Sequence, residues 1–129
     1  MSMDLKDIVA LKNALLSQLK QLRDVEIYAE VVLGASENFP KARDFAYTDG
    51  AYIYFSPKIL SAPTHRVDGL LRHELAHVIL MQKGLFSHSE RDADRVAAWA
   101  FGTPILYDSE DIQSTLEGRP VRPSYLPKQ

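Results

Sequence analysis

Residues 73–77 read His-Glu-Leu-Ala-His. On a helix, positions four apart lie one turn apart on the same face. Two imidazoles so placed can converge on one ion at zinc–nitrogen bonding distance. Glu74 sits about 100° round the helix from His73. It therefore falls outside the ligand set but within reach of a water held by the metal. The chemistry this permits is hydrolysis: the ion acidifies the water and polarises a carbonyl, and the carboxylate takes the proton. One Zn2+ per chain is the expectation.

The neighbours of the pair strengthen it. Leu70, Leu71, Leu75, Val78, Ile79 and Leu80 surround the two histidines, so apolar residues go nearly all the way round and the helix is expected to be buried on most sides. Burying two imidazoles without a partner is costly, and one ion satisfies both. Structural zinc sites close with four protein ligands, whereas catalytic sites use three and keep a position for water. A third histidine in the pattern H-E-x-x-H-x-x-G-x-x-H would fall at position 83, where Lys83 stands. The remaining candidates are His88, Glu90, Asp92 and Asp94, all within "SHSERDADRVAAWAFG".

"HELAH" followed by "ERDAD" resembles the gluzincin arrangement of zinc metallopeptidases, H-E-x-x-H and then E-x-x-x-D on the next helix. The E-x-x-A-D-R form is similar to that of the HtpX-type membrane peptidases and of the small soluble minigluzincins, and the same segment resembles that of the ImmA/IrrE-type peptidases. The resemblance covers about residues 51–102. It implies a small zincin-like domain in which His73, His77 and Glu90 bind zinc and Glu74 is the general base. It further implies that Asp94 accepts a hydrogen bond from a ligand histidine, fixing its tautomer and orientation. The strand before the active-site helix, Ala51, Tyr52, Ile53, Tyr54 and Phe55, would line the cleft and pair with an extended peptide along a free edge. A donor for the reaction's oxyanion is also required; His88, Tyr107 and Tyr125 are candidates among which the sequence does not choose. His88 is otherwise expected to be a solvent-exposed loop residue.

Several elements must position these groups. Leu5, Ile8, Leu11, Leu15, Leu19 and Leu22 recur at three- and four-residue steps, predicting an amphipathic helix over residues 4–23 that packs on the sheet. "VEIYAEVVL" (25–33) predicts a strand, and residues 43–55 a hairpin turning at Asp49-Gly50. "SPKIL" predicts a single turn. Thr64 is expected to cap a helix reaching about Lys83, with Gly84 as its stop. Ser89 with Asp92 has the form of a capping box for a second helix ending near Phe101. Residues 109–117 predict a last short helix. The order predicts an α+β fold with an antiparallel three-stranded sheet. Residues 1–118 would form one domain, and Pro120, Pro123 and Pro127 mark residues 119–129 as an extended tail. Arg66 and Arg72 are expected to be solvated helix charges, His65 a structural or exposed residue rather than a catalytic one, and Trp99 part of the core.

Composition bounds the rest. The chain has 129 residues, no cysteine and a formal net charge of −2. Disulfides, thiolate metal sites and cysteine nucleophiles are excluded. Nothing favours nucleic acid or a membrane, and the acidic start "MSMDLKDIVALKNALL" does not have the form of a signal peptide. The expectation is a cytoplasmic protein acting on a peptide or protein substrate, as a monomer or weak dimer. The competing readings are a zinc-binding regulatory or structural domain without peptidase activity and a metal-free interaction domain.

Overall fold

The computed structural model describes residues 3–39 and 45–102. The expected helix at 109–117, the tail at 119–129, Tyr107 and Tyr125 lie outside the described residues. Three helices and a three-stranded mixed sheet form an α+β unit.

Helix α1, Leu5–Arg23, begins at Asp4, whose side chain accepts the Asp7 amide while Asp7 returns the bond to the Asp4 amide. Reciprocal capping of this kind satisfies two backbone donors that a helix start leaves open. Ile8, Leu15 and Leu19 are fully buried along one face. Leu22, expected to continue that stripe, is exposed, because the helix ends one residue later and overshoots the core.

Strands β1 (Glu30–Leu33), β2 (Ala46–Thr48) and β3 (Tyr52–Phe55) follow. Their spatial order is β1-β3-β2: β1 pairs with β3 in parallel, and β2 pairs with β3 antiparallel. The wholly antiparallel sheet expected from the sequence is therefore corrected. The hairpin forms as predicted. β2, however, takes the far edge of the sheet, so β3 inserts beside β1 in the same direction. The hairpin turn is held by side chains: Asp49 Oδ1 accepts from the amides of Ala51 and Tyr52 at 3.0 and 2.8 Å, and Thr48 Oγ1 donates to the Tyr52 carbonyl at 2.6 Å. These amides hold the Asp49 carboxyl below its ordinary range.

The sheet has one covered face. Val31, Ile53 and Phe55 are buried against the helices, whereas Tyr47, Tyr52 and Tyr54 form an aromatic row on the other face, with Tyr47 and Tyr54 stacked at 4.9 Å. Period-two alternation forces this division.

Helix α2, Thr64–Gln82, is the centre of the core. Val67, Leu71, Leu75 and Val78 are fully buried, each contributing about 1.5–3 kcal/mol of hydrophobic stabilisation. Pro63 occupies the N-cap in place of the expected Thr64 and supplies no side-chain bond. At the other end, Gln82 ties the helix to the sheet. Its Oε1 accepts the Tyr28 amide at 3.1 Å, and its Nε2 donates to the carbonyls of Tyr28 and Gly50 at 2.6 and 2.8 Å.

Helix α3, Glu90–Phe101, packs mainly on α2. Ala93, Ala97, Ala100 and Phe101 face inward. Trp99 falls on the opposite side and is 47 % exposed, not in the core as expected. Arg23 covers its ring at 4.9 Å and donates to its carbonyl at 3.0 Å. Arg72, also expected in solvent, is half-buried. It donates through Nε to Asp68 at 2.7 Å and through Nη1 to the Phe101 carbonyl at 2.8 Å, tying α2 to the end of α3. No helix among the described residues is long and apolar enough to cross a membrane.

Candidate metal centre

Three local devices bring the chemistry together. The first is the helical step: His73 and His77 stand one turn apart on α2, their rings 4.7 Å apart and nearly perpendicular at 88°. The second is a sharp reversal. Gly84 has a φ of +87°; the Leu85 amide donates back to the Leu80 carbonyl at 2.8 Å and the Gly84 amide to Met81 at 3.0 Å. This double bond past a left-handed glycine is a Schellman cap. The third is the start of α3, where Ser89 and Asp92 exchange backbone bonds at 3.0 Å. That capping box makes Glu90 the first residue of the helix and turns it towards α2. Asp94, one turn further, shares its face.

The result is a cluster of three donor atoms. Nε2 of His73 lies 2.8 Å from Oε1 of Glu90, Nε2 of His77 lies 3.2 Å from the same oxygen, and the two nitrogens are 3.1 Å apart. A tetrahedral ion with bonds of about 2.1 Å would hold its ligand atoms about 3.4 Å apart. The observed triangle thus already surrounds one coordination point, and small outward shifts would fit an ion. His73, His77 and Glu90 can hold a metal. The chemistry of the set agrees, two neutral nitrogens and a carboxylate being a familiar zinc-binding combination. The Glu90 side chain is 51 % exposed while both histidines are largely buried, so the cluster opens to solvent on one side.

Electrostatics point the same way. Burial alone would lower the proton affinity of His73, but the hydrogen-bonded carboxylates of Asp94 and Glu90 prevail and push its pKa up to about 10. The hydrogen bond from His73 in turn holds Glu90 far below the usual carboxylate range. This pocket calls for a cation: without a metal, the His73 proton supplies it. Glu74 is 6 % exposed. Burial raises its carboxyl above the ordinary value, against the opposing pull of His73 and His77. A carboxylate with raised basicity suits a general base.

Further side chains hold the two histidines in place. Asp94 Oδ1 lies 2.8 Å from Nδ1 of His73. His88, expected to be a solvent-exposed loop residue, instead sits with Nε2 2.7 Å from Nδ1 of His77 and Nδ1 2.7 Å from the Leu85 carbonyl. Both of its ring nitrogens are engaged, so it is not placed as a zinc ligand or as a donor to an oxyanion. The signal was the short link itself: a chain reversed at Gly84 must return past His77 before reaching Glu90. Asp92, another ligand candidate, is spent on the capping box. His65 is exposed in the first turn of α2, far along the helix from the cluster.

The expected substrate strand needs correction. Tyr52, Ile53 and Tyr54 belong to β3, which is bonded to β1 on one side and β2 on the other, and Ala51 gives its carbonyl to the Glu30 amide at 2.9 Å. No free edge exists there. Among the described residues, the outer edges of the sheet belong to β1 and β2. Phe45 and Asp49 bond inward to Ser56 and Tyr52. By antiparallel alternation, the amides and carbonyls of Ala46 and Thr48 therefore point outward from β2.

A short α+β unit whose central helix carries H-E-x-x-H, with a carboxylate supplied by the next helix, defines a small zincin-like domain. The family model of the eCIS core domain matches residues 17–85, more than half of the chain, and the chain belongs to that family. The match spans His73, Glu74 and His77 and stops short of His88, Glu90 and Asp94. No curated protein and no solved structure matches the chain.

Proposed function

We propose that this chain is a zinc-dependent metallopeptidase. His73, His77 and Glu90 hold the ion, and Asp94 fixes the orientation of His73. When bound, zinc would supply Lewis acidity, lowering the pKa of water and polarising a peptide carbonyl. Glu74 accepts the proton of the attacking water and returns it to the departing amine; its raised basicity fits both transfers. An extended peptide pairs with the free edge of β2, through the backbone of Ala46 and Thr48. That strand packs against α2.

The observation that carries this reading is the convergence of three donor atoms on one solvent-open point, with a buried carboxylate adjoining the first ligand in sequence. The test has two stages. Elemental analysis of purified protein is expected to give one zinc per chain, and its absence would end the proposal. Hydrolysis of a mixed peptide library is then compared with that of Glu74→Gln. The variant should keep its zinc and lose activity by orders of magnitude. Zinc without hydrolysis in the unaltered chain would indicate a regulatory or structural zinc domain instead.

A further inference from the structure

We infer that His88 is a positioning residue, setting the tautomer of His77 so that the nitrogen facing the cluster is left free to bind a metal. The inference rests on the reading of His77 as a ligand and adds a residue to it.

The argument follows the protons. A backbone carbonyl only accepts, so Nδ1 of His88, 2.7 Å from the Leu85 oxygen, carries a hydrogen. In a neutral ring the other nitrogen is then an acceptor. Nε2 of His88 lies 2.7 Å from Nδ1 of His77, and a bond this short requires a hydrogen between them. His77 must supply it. With Nδ1 protonated, Nε2 of His77 has a bare lone pair, and that atom lies 3.1 Å from His73 Nε2 and 3.2 Å from Glu90 Oε1. The proton order thus runs one way, from His77 to His88 to the Leu85 carbonyl. Its anchor is rigid, because the Leu85 amide closes the Schellman cap of α2. The same helix that carries His77 therefore fixes, through its own C-terminus, the residue that orients His77.

The choice of residue type also makes sense. His73 is oriented by a carboxylate, Asp94. Glu90 and Asp94 together already match the charge of a divalent ion. A neutral acceptor on His77 orients the ring without adding a further negative charge to the cluster.

Two readouts test this. In the metal-free chain at about pH 8, where free histidine is neutral, nitrogen NMR of the His77 ring should show the Nδ1–H form. In His88→Ala it should revert towards the Nε2–H form, and zinc affinity in chelator competition should fall about 10–100-fold. His88→Gln, whose amide oxygen can accept the same hydrogen, should recover most of both. Circular dichroism would confirm that both variants are folded. Unchanged tautomer and affinity in His88→Ala, or a Gln variant as impaired as the Ala variant, would overturn the inference. If the unaltered chain binds no zinc while its His77 tautomer still follows residue 88, the orienting pair stands and the metallopeptidase reading falls.

Discussion

Asp94 Oδ1 stands 2.8 Å from Nδ1 of His73, and the other oxygen of that carboxylate is buried without a hydrogen-bond partner among the described residues. Its hydrogen bonding is thus directed to a single imidazole. Asp94→Ala is expected to weaken zinc binding about 10–100-fold while leaving the fold intact, measured by competition with a chromophoric chelator. Asp94→Asn keeps an acceptor but not the charge, and should fall between the two.

The metal-free chain should show a defined pH window. His73 has its proton affinity raised to about 10 by Asp94 and Glu90. A raised group stabilises the fold fully below its unfolded value, near 6.5, and that contribution fades as pH rises towards 10. Glu90 is the same ion pair seen from the other side: its depressed carboxyl stabilises above about 4.3 and loses effect as pH falls. Thermal unfolding in the presence of a chelator should therefore peak between roughly pH 4.3 and 6.5. His73→Gln should flatten the alkaline limb; an unchanged limb would contradict the assignment. Zinc binding near pH 7.5 should also release about one proton per ion, read by calorimetry in buffers of differing ionisation enthalpy.

Gln82 should matter to stability more than a polar residue at a helix end usually does. Its three bonds to Tyr28 and Gly50 are worth roughly 1 kcal/mol each. Gln82→Leu is expected to cost about 2–3 kcal/mol in denaturant unfolding. Gln82→Glu should not rescue it, since a carboxylate cannot donate to two carbonyls.

Two glycine substitutions should differ in cause. Gly84→Ala meets nothing within 4 Å, so its cost is the left-handed backbone alone, about 1 kcal/mol. Gly50→Ala has both a φ of +102° and the Met81 side chain at 3.3 Å, and should cost more. Equal losses in chemical denaturation would argue against the close contact.

Much of the site could be read from residue order because its determinants are local. The step from His73 to His77, the Ser89–Asp92 capping box and the Gly84 stop each act within a few positions, and all three form. Topology was harder. The Asp49-Gly50 hairpin was legible from its turn chemistry, but nothing in the strands says that β1 would run parallel to β3; that depends on which edge of the sheet β2 takes, a choice no local pattern encodes. Trp99 was misplaced because a three-residue step from Val96 does not say which side of a short helix meets α2. His88 was missed for a related reason, since its partner is set by the path of a loop and not by a period.

Helix α3 is fastened at two places of different kind. Its far end is pinned by a permanent strut, the Arg72 guanidinium on the Phe101 carbonyl, whereas its near end meets α2 through Glu90 and Asp94 at the histidine–carboxylate cluster. Removing the imidazole that both carboxylates grip, as in His73→Ala, would unlatch one end and leave the other as a pivot. Backbone amides of α3 should then exchange with deuterated solvent in a gradient, fastest at Asp92 and Ala93 and slowest near Ala100.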